Sequence, residues 1–248
     1  MAYQRAYWPM NNLKLSQGYG KKSSSHKYSY SIDICGKDGG AEPVFAPFDC
    51  EVTKLYQPED TKKHAPEVWL TSTRKVLCAN GYYGYLTMSL THASEIMKMK
   101  LGQKFKQFDF VCKEDKLGGA SGNHIHLELS KGKKAGWDSA IIKKYKAYVN
   151  VNKVKPEEYL FVRDIAKVLK NTYKGKIYNF IKESDLYYTV ISDDGLNMRT
   201  EPNDDSKIIT TVAPGKDVTR FYVKNGWAYC YRYEKMGYMS NNFLKKKN

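Results

Sequence analysis

The chain has 248 residues, 42% of them apolar and 14% aromatic, with 21 Tyr against 9 Phe and 4 Trp, a balance that excludes a disordered chain and favours strands. Five cysteines without a Cys-x-x-Cys pair argue against a disulfide framework or a thiolate zinc knuckle, and no stretch reaches the ~18 apolar residues of a membrane span. Lys plus Arg at 41 against Asp plus Glu at 26 give a net charge of +15, which draws the protein to polyanions through a salt-sensitive field.

The length suits one medium and one small domain. Residues 187–248 carry 10 basic and 7 acidic side chains, so most of the positive charge belongs to the first part. The start, MAYQRAYWPM, lacks an apolar core of signal-peptide length, so synthesis in a reducing compartment without a signal peptide is expected.

In chain order, LKLSQGYG from Leu13 reads as a strand entering a Gly turn, and KKSSSH as a polar loop. In YSYSIDI, Tyr28, Tyr30, Ile32 and Ile34 share one parity, while Ser29, Ser31 and Asp33 share the other; a strand there buries the first set and turns Asp33 to the opposite face. PVFAPFDCEVTKLY, EVWLTSTRKVLCA, YYGYLTMSLTH, FDFVCKE and HIHLELS are further strands, which together predict an antiparallel sheet with long loops. Phe161, Ile165, Val168 and Leu169 at i, i+4, i+7 and i+8 predict a short amphipathic helix. Strands resume near Leu186, and Asn225-Gly226 signals a tight hairpin before Trp227.

The chemistry-bearing residues are few. Of five histidines, His124 and His126 lie on one face of the strand in GNHIHLEL, about 7 Å apart. That spacing suits one metal ligand and one acid/base neighbour. Asp33 is on the polar face of its own strand, with His26 seven residues before it; two imidazoles and one carboxylate would leave a tetrahedral zinc with an open position, as in a hydrolytic site. Cys35 shares the parity of Asp33 and competes as a soft ligand, though a thiolate would make such a zinc less acidic. His64, in DTKKHAPE, reads as a solvated loop residue, and the parity of His92 with Leu86, Met88 and Leu90 reads as a core histidine at a strand end.

SQGYGKKSSSHKYSYSIDICG, PVFAPFDCEV, LTHAS and LGQKFKQFDFVCKEDKLGGASGNHIHLEL resemble, in order and spacing, the M23 family of zinc metallopeptidases, the lysostaphin and LytM-like endopeptidases. The resemblance runs over about residues 10–160 and implies one catalytic zinc held by His26, Asp33 and His126, with His124 and His92 as catalytic histidines. It also implies a mostly antiparallel sheet with a peptide groove over it. Many members place the first ligand four residues before the Asp, where this chain has Ser29; the seven-residue spacing belongs to a variant often seen in phage enzymes. Cys50 stands where Gly is usual. Tyr19 is a candidate for holding a tetrahedral intermediate.

GLNMRTEPNDDSKIITTVAPGKDVTRFYVKNGWAYCYRYEKMGYMSNNFL resembles a bacterial SH3 domain over about residues 190–244, a fold that typically tethers an enzyme to wall peptide or glycan. Trp227, Tyr229 and Tyr238 line a groove there or fill a small barrel core. The expected fold is mainly β: an M23-like peptidase domain over 1–160, a helical connector over 161–186 and an SH3-like β-barrel over 187–248. The expected function is zinc-dependent cleavage of peptidoglycan peptide bonds by a phage lysin, a monomer released through a holin or carried in a virion. Teichoic acid is an expected partner, while specific nucleic-acid binding and membrane insertion are not expected. A catalytically inactive wall-binding or phage structural protein is the rival expectation.

Overall fold

In a computed structural model, residues 3–23, 25–37 and 41–247 are described; Ser24 of the KKSSSH loop and the first two residues of the chain lie outside them. The protein is mainly β, with 44% strand against 10% helix. Strands whose polarity alternates must pair so that like faces coincide, and the register achieves this. Among the described residues the first sheet has nine strands: β1 (Asn12–Gln17), β2 (Ile32–Cys35), β3 (Cys50–Tyr56), β4 (Glu67–Ser72), β5 (Leu86–Thr91), β6 (Lys104–Phe105), β7 (Ile125–Lys131), β8 (Lys153–Val154) and β9 (Lys167–Lys170). Their lateral order is β9-β1-β2-β7-β5-β4-β3-β6, with β8 also pairing the far half of β7. Only the β1–β9 pair is parallel.

One face is apolar. Ile32, Leu127, Leu90 and Val68 form a row across four strands, Leu129, Met88 and Leu70 form the next, and all are fully buried in one cluster with Trp8, Phe48 and Val162. At roughly 1.5–3 kcal/mol for each large side chain removed from water, this face fixes the register, because a one-residue slip would expose the whole set.

The other face is polar. Asp33, His126, Thr91, Glu67 and Tyr56 stand in one row on five consecutive strands, and Glu128, Ser89, Trp69 and Lys54 stand in the row beside it. Residues after β7 return over this face through α1 (Ser139–Tyr145), whose N-terminus is capped by the Asp138 carboxylate accepting from the Ala140 and Ile141 amides. Trp69 Nε1 donates to Asn150 Oδ1 at 3.0 Å and Trp137 Nε1 donates to Glu67 Oε2 at 2.9 Å, which pins the excursion to the sheet.

The helix expected over 161–171 is not there. Phe161 and Val162 form a short strand parallel to Ile181–Lys182, and Lys167–Lys170 runs beside β1. Ile165 and Leu169 are 66% and 43% exposed, so the apolar spacing makes no buried stripe. Backbone pairing overrides it: Phe161 donates to the Ala6 carbonyl and accepts from Trp8, both at 2.9 Å, and β-branched Val162 and Val168 suit the extended chain they occupy. The aromatic half of YSYSIDI also departs from expectation. The strand starts only at Ile32, Tyr30 is exposed, and Tyr28 stacks on Tyr145 with ring centroids 4.2 Å apart.

A second, antiparallel sheet follows, with β10 (Tyr187–Val190), β11 (Leu196–Arg199), β12 (Ile208–Val212), β13 (Asp217–Lys224), β14 (Trp227–Arg232), β15 (Lys235–Ser240) and β16 (Leu244–Lys246) in the order β12-β11-β15-β14-β13-β10-β16. Val190, Met198, Val212, Ala228, Cys230 and Met239 bury a core of their own. Asn225 and Gly226 join β13 to β14 with φ of 50° and 80°, the two positive values of a tight hairpin turn. Tyr229 and Tyr238 line a groove of about 470 Å³ between the two sheets, whereas half-buried Trp227 belongs neither to that groove nor to the second core. The five cysteines are all buried and free, and among the described residues no helix is long and apolar enough to cross a membrane.

Candidate metal centre

Strand parity and pairing put the site together. Asp33 in β2 and His126 in β7 are direct cross-strand partners on the polar face, which brings Asp33 Oδ1 to 3.0 Å from His126 Nδ1. His26 reaches the same place from the loop before β2. Gly20 donates to the His26 carbonyl at 3.2 Å and the His26 amide donates to Ser23 Oγ at 3.1 Å, so the loop closes and drops the imidazole inward. The ring is 2% exposed, stands edge-on to His126 at 4.7 Å, and puts Nε2 3.4 Å from Asp33 Oδ1.

One donor atom from each of His26, Asp33 and His126 therefore lies within 4.8 Å of the others. Ligands at ~2.0–2.1 Å from a tetrahedral ion stand about 3.3 Å from one another, so the separations of 3.0 and 3.4 Å already have the right size. The donor set is two nitrogens and one oxygen, which fits zinc with an open position rather than a calcium or magnesium cage of oxygens. Cys35, the competing soft ligand, is not in the group; its thiol faces the Lys14 carbonyl at 3.5 Å.

The electrostatics agree. Burial pushes the Asp33 carboxyl up, but a hydrogen bond from His126 and the nearby imidazoles outweigh it and hold Asp33 below the usual carboxylate range. Burial alone would lower His126, yet Asp33 on one side and Glu128 on the other raise it to about 10, so a cation at this point takes the place of a held proton. Burial, helped by the charge of His126, lowers His26 to about 4 and leaves it a neutral donor.

Glu128, two residues on from His126 on the same face of β7, has Oε1 3.7 Å from His126 Nε2, the nitrogen turned away from Asp33. Its carboxylate is fully engaged: the Ser31 hydroxyl donates to Oε1, and the Asn150 amide donates to Oε2 at 2.7 Å. Burial would raise this carboxyl too, but the hydrogen bond and charge of His126, with those from Ser31 and Asn150, keep it lowered. The signal was its parity with His126 in HIHLEL.

His92 and His124 stand beside the cluster, with ring centroids 4.5 Å apart and His92 6.2 Å from His126. Each Nδ1 faces a backbone carbonyl, of Leu117 at 2.6 Å and of Gly122 at 2.8 Å; a carbonyl only accepts, so each Nδ1 carries the proton and each Nε2 is left free. His124 Nε2 is 3.8 Å from Asp33 Oδ2. Burial lowers His92 to about 4, despite its hydrogen bond to Leu117. His92 is not the core histidine its parity implied: with φ of 81° it leaves the strand alternation, held by its amide to Pro66 and its carbonyl to Leu117. All five residues line one open cleft of about 400 Å³. Tyr19 does not line it; its hydroxyl donates to Glu157 and its ring lies edge-on to Tyr178. His64 lies in an exposed loop at the rim of a neighbouring cavity.

No family model matches the chain. Over 143 residues it is 34% identical to Morphogenesis protein 1 of Bacillus phage B103, and the alignment takes in 56% of this chain and 37% of that protein, so the chain spans little more than a third of its relative's length. Among solved structures it is similar to a zinc containing peptidase from Vibrio cholerae, at 15% identity over 51% of this chain and 37% of the other, with a TM-score of 0.37. It is similar to the catalytic domain of the prophage-encoded M23 protein EnpA from Enterococcus faecalis, at 20% identity, 48% and 82% coverage and a TM-score of 0.35. Lysostaphin from Staphylococcus simulans matches at 13% identity over 96% of this chain and 92% of that one, with a TM-score of 0.37. Likeness at this level carries no chemistry to this chain, whose site stands on its own distances.

Proposed function

We propose that the protein is a zinc-dependent endopeptidase of bacterial peptidoglycan, a lysin of phage origin. The observation that carries the reading is the convergence of His26, Asp33 and His126 within 4.8 Å, flanked by two imidazoles whose Nδ1 atoms are committed to carbonyls. His26 Nε2, Asp33 Oδ1 and His126 Nδ1 would hold the ion. When bound, zinc supplies Lewis-acid polarisation of the scissile carbonyl and acidifies water. His92 and His124 do the rest. With Nδ1 protonated, each offers Nε2 as a base that takes a proton from the attacking water and returns it to the leaving amine.

In this reading residues 1–160 carry the peptidase, while residues 187–248 form an SH3-like module that keeps the enzyme on the wall and so raises local substrate concentration. The phage relative supports a phage origin, and the charge of +15 supports residence on phosphate-rich teichoic acid. The test is lysis of purified walls, followed by turbidity with zinc present, for the wild type and His126→Ala. The wild type should clear the suspension and bind one equivalent of zinc, and the variant should do neither. Undiminished lysis by His126→Ala, or substoichiometric zinc in an inert wild type, would overturn the assignment.

A further inference from the structure

We propose that the aromatic cup formed by Tyr56, Trp137 and Tyr148 is a saccharide subsite, which holds a pyranose ring of the glycan that carries the cleaved peptide. The proposal rests on the peptidoglycan reading above and adds a part of the substrate to it.

Position is the first argument. Asp33, His126, Thr91, Glu67 and Tyr56 form one row, so Glu67 is two strands and Tyr56 three strands from His126, about 10 and 14 Å at ~4.8 Å per strand. An extended peptide advances ~3.3–3.6 Å per residue, so a chain lying across the strands reaches the cup about three or four residues from the bond being cut. Stem peptides of peptidoglycan are short and end on a sugar. The cup is a cavity of about 390 Å³, within the usual range for small ligands, and Tyr148 lines both it and the catalytic cleft.

Construction is the second argument. Trp137 Nε1 is spent on buried Glu67, so the indole is held in place and offers the cavity only ring surface. Its centroid lies 5.4 Å from that of Tyr56 and 4.8 Å from that of Tyr148. Lys63 and His64 supply polar groups at the rim. Fixed aromatic surface with polar groups at its edge matches a pyranose, which has an apolar C–H face and hydroxyls around its periphery; an aliphatic side chain would leave that rim unused.

The test uses the full chain with metal removed, so that binding is read without turnover. A stem peptide bearing its N-acetylated disaccharide and the same peptide without sugar are each titrated by calorimetry. The sugar-bearing ligand should bind about tenfold tighter, a preference of the size expected from aromatic contacts of this kind. Tyr148→Ala, at a side chain 62% exposed and therefore safe for folding, should reduce that preference severalfold, and Trp137→Phe should retain part of it. Equal affinities in the wild type, or an undiminished preference in Tyr148→Ala, overturn the subsite. Sugar-blind binding by a protein that still lyses walls overturns this proposal alone; no binding and no lysis overturn the endopeptidase reading with it.

Discussion

Asp33 Oδ1 stands 3.0 Å from His126 Nδ1 across the β2–β7 pair, and the same oxygen lies 3.4 Å from His26 Nε2. One carboxylate oxygen thus serves two imidazoles that reach it from different parts of the chain. Asp33→Asn keeps the shape, removes the charge, and leaves His126 with Glu128 as its remaining carboxylate. Zinc affinity should fall by more than about 100-fold, beyond the 10–100-fold usual for losing a supporting group, while far-ultraviolet dichroism is unchanged. The check is competition with a chromophoric chelator. Wild-type affinity in the variant would remove Asp33 from the centre.

His92 sets function against local stability. At φ of 81° an L-residue is strained, and glycine adopts that backbone freely. His92→Gly should therefore leave the unfolding free energy unchanged or raise it by about 1 kcal/mol, less the packing lost with the ring. Wall lysis should fall by about 10²–10⁴-fold, the usual worth of a positioned acid or base, with one zinc still bound. His124→Ala should give a similar loss of rate. Full activity in both variants would take the base role away from this pair.

The legible parts of the site are those governed by strand parity. Ile125, Leu127 and Leu129 alternate with His126 and Glu128, and burial of the first set forces the second onto the polar face. Asp33 follows from the same rule in β2. For His92 parity alone said core and only the family resemblance pointed to the cleft, because its orientation depends on backbone bonds to Pro66 and Leu117, which are distant in sequence. The 161–171 segment shows the converse. Its apolar spacing matched a helix, but the open edge of β1 offered hydrogen bonds, and Lys167–Lys170 took them. Trp137 and Glu67 meet across 70 residues, with no local pattern to announce the contact.

Glu67 predicts how stability varies with pH. Burial, reinforced by the charge of Glu128, raises its pKa from 4.5 to about 8. Below 4.5 the carboxyl is protonated in both folded and unfolded chains and adds no pH dependence. Between 4.5 and 8 the folded protein keeps a proton that the unfolded chain has released, so stability falls as pH rises through that window. The slope is at most about 1.4 kcal/mol per pH unit. Glu67→Gln keeps an acceptor for the Trp137 N–H and removes the titration. Urea unfolding of the metal-free protein across the window should show the variant losing less stability than the wild type; parallel curves would mean that Glu67 is ionised in the fold.

The hairpin between β13 and β14 separates backbone conformation from side-chain chemistry, since Asn225 and Gly226 both have positive φ and nothing lies within 4 Å of a Cβ built on Gly226. Gly226→Ala therefore meets no clash, and its cost is conformational alone, about 1–2 kcal/mol for an L-residue held in the left-handed region. Asn225→Gly trades a residue that tolerates this conformation for one that adopts it freely, and should change stability by less than about 0.5 kcal/mol. Because β13, β14 and β15 are consecutive neighbours in the second sheet, the loss in Gly226→Ala falls on that sheet. Amide hydrogen exchange should accelerate across β13–β15 while protection of β2, β5 and β7 is retained, and zinc affinity should be unaffected. Equal loss of protection in both sheets would show instead that the two cores unfold as one unit.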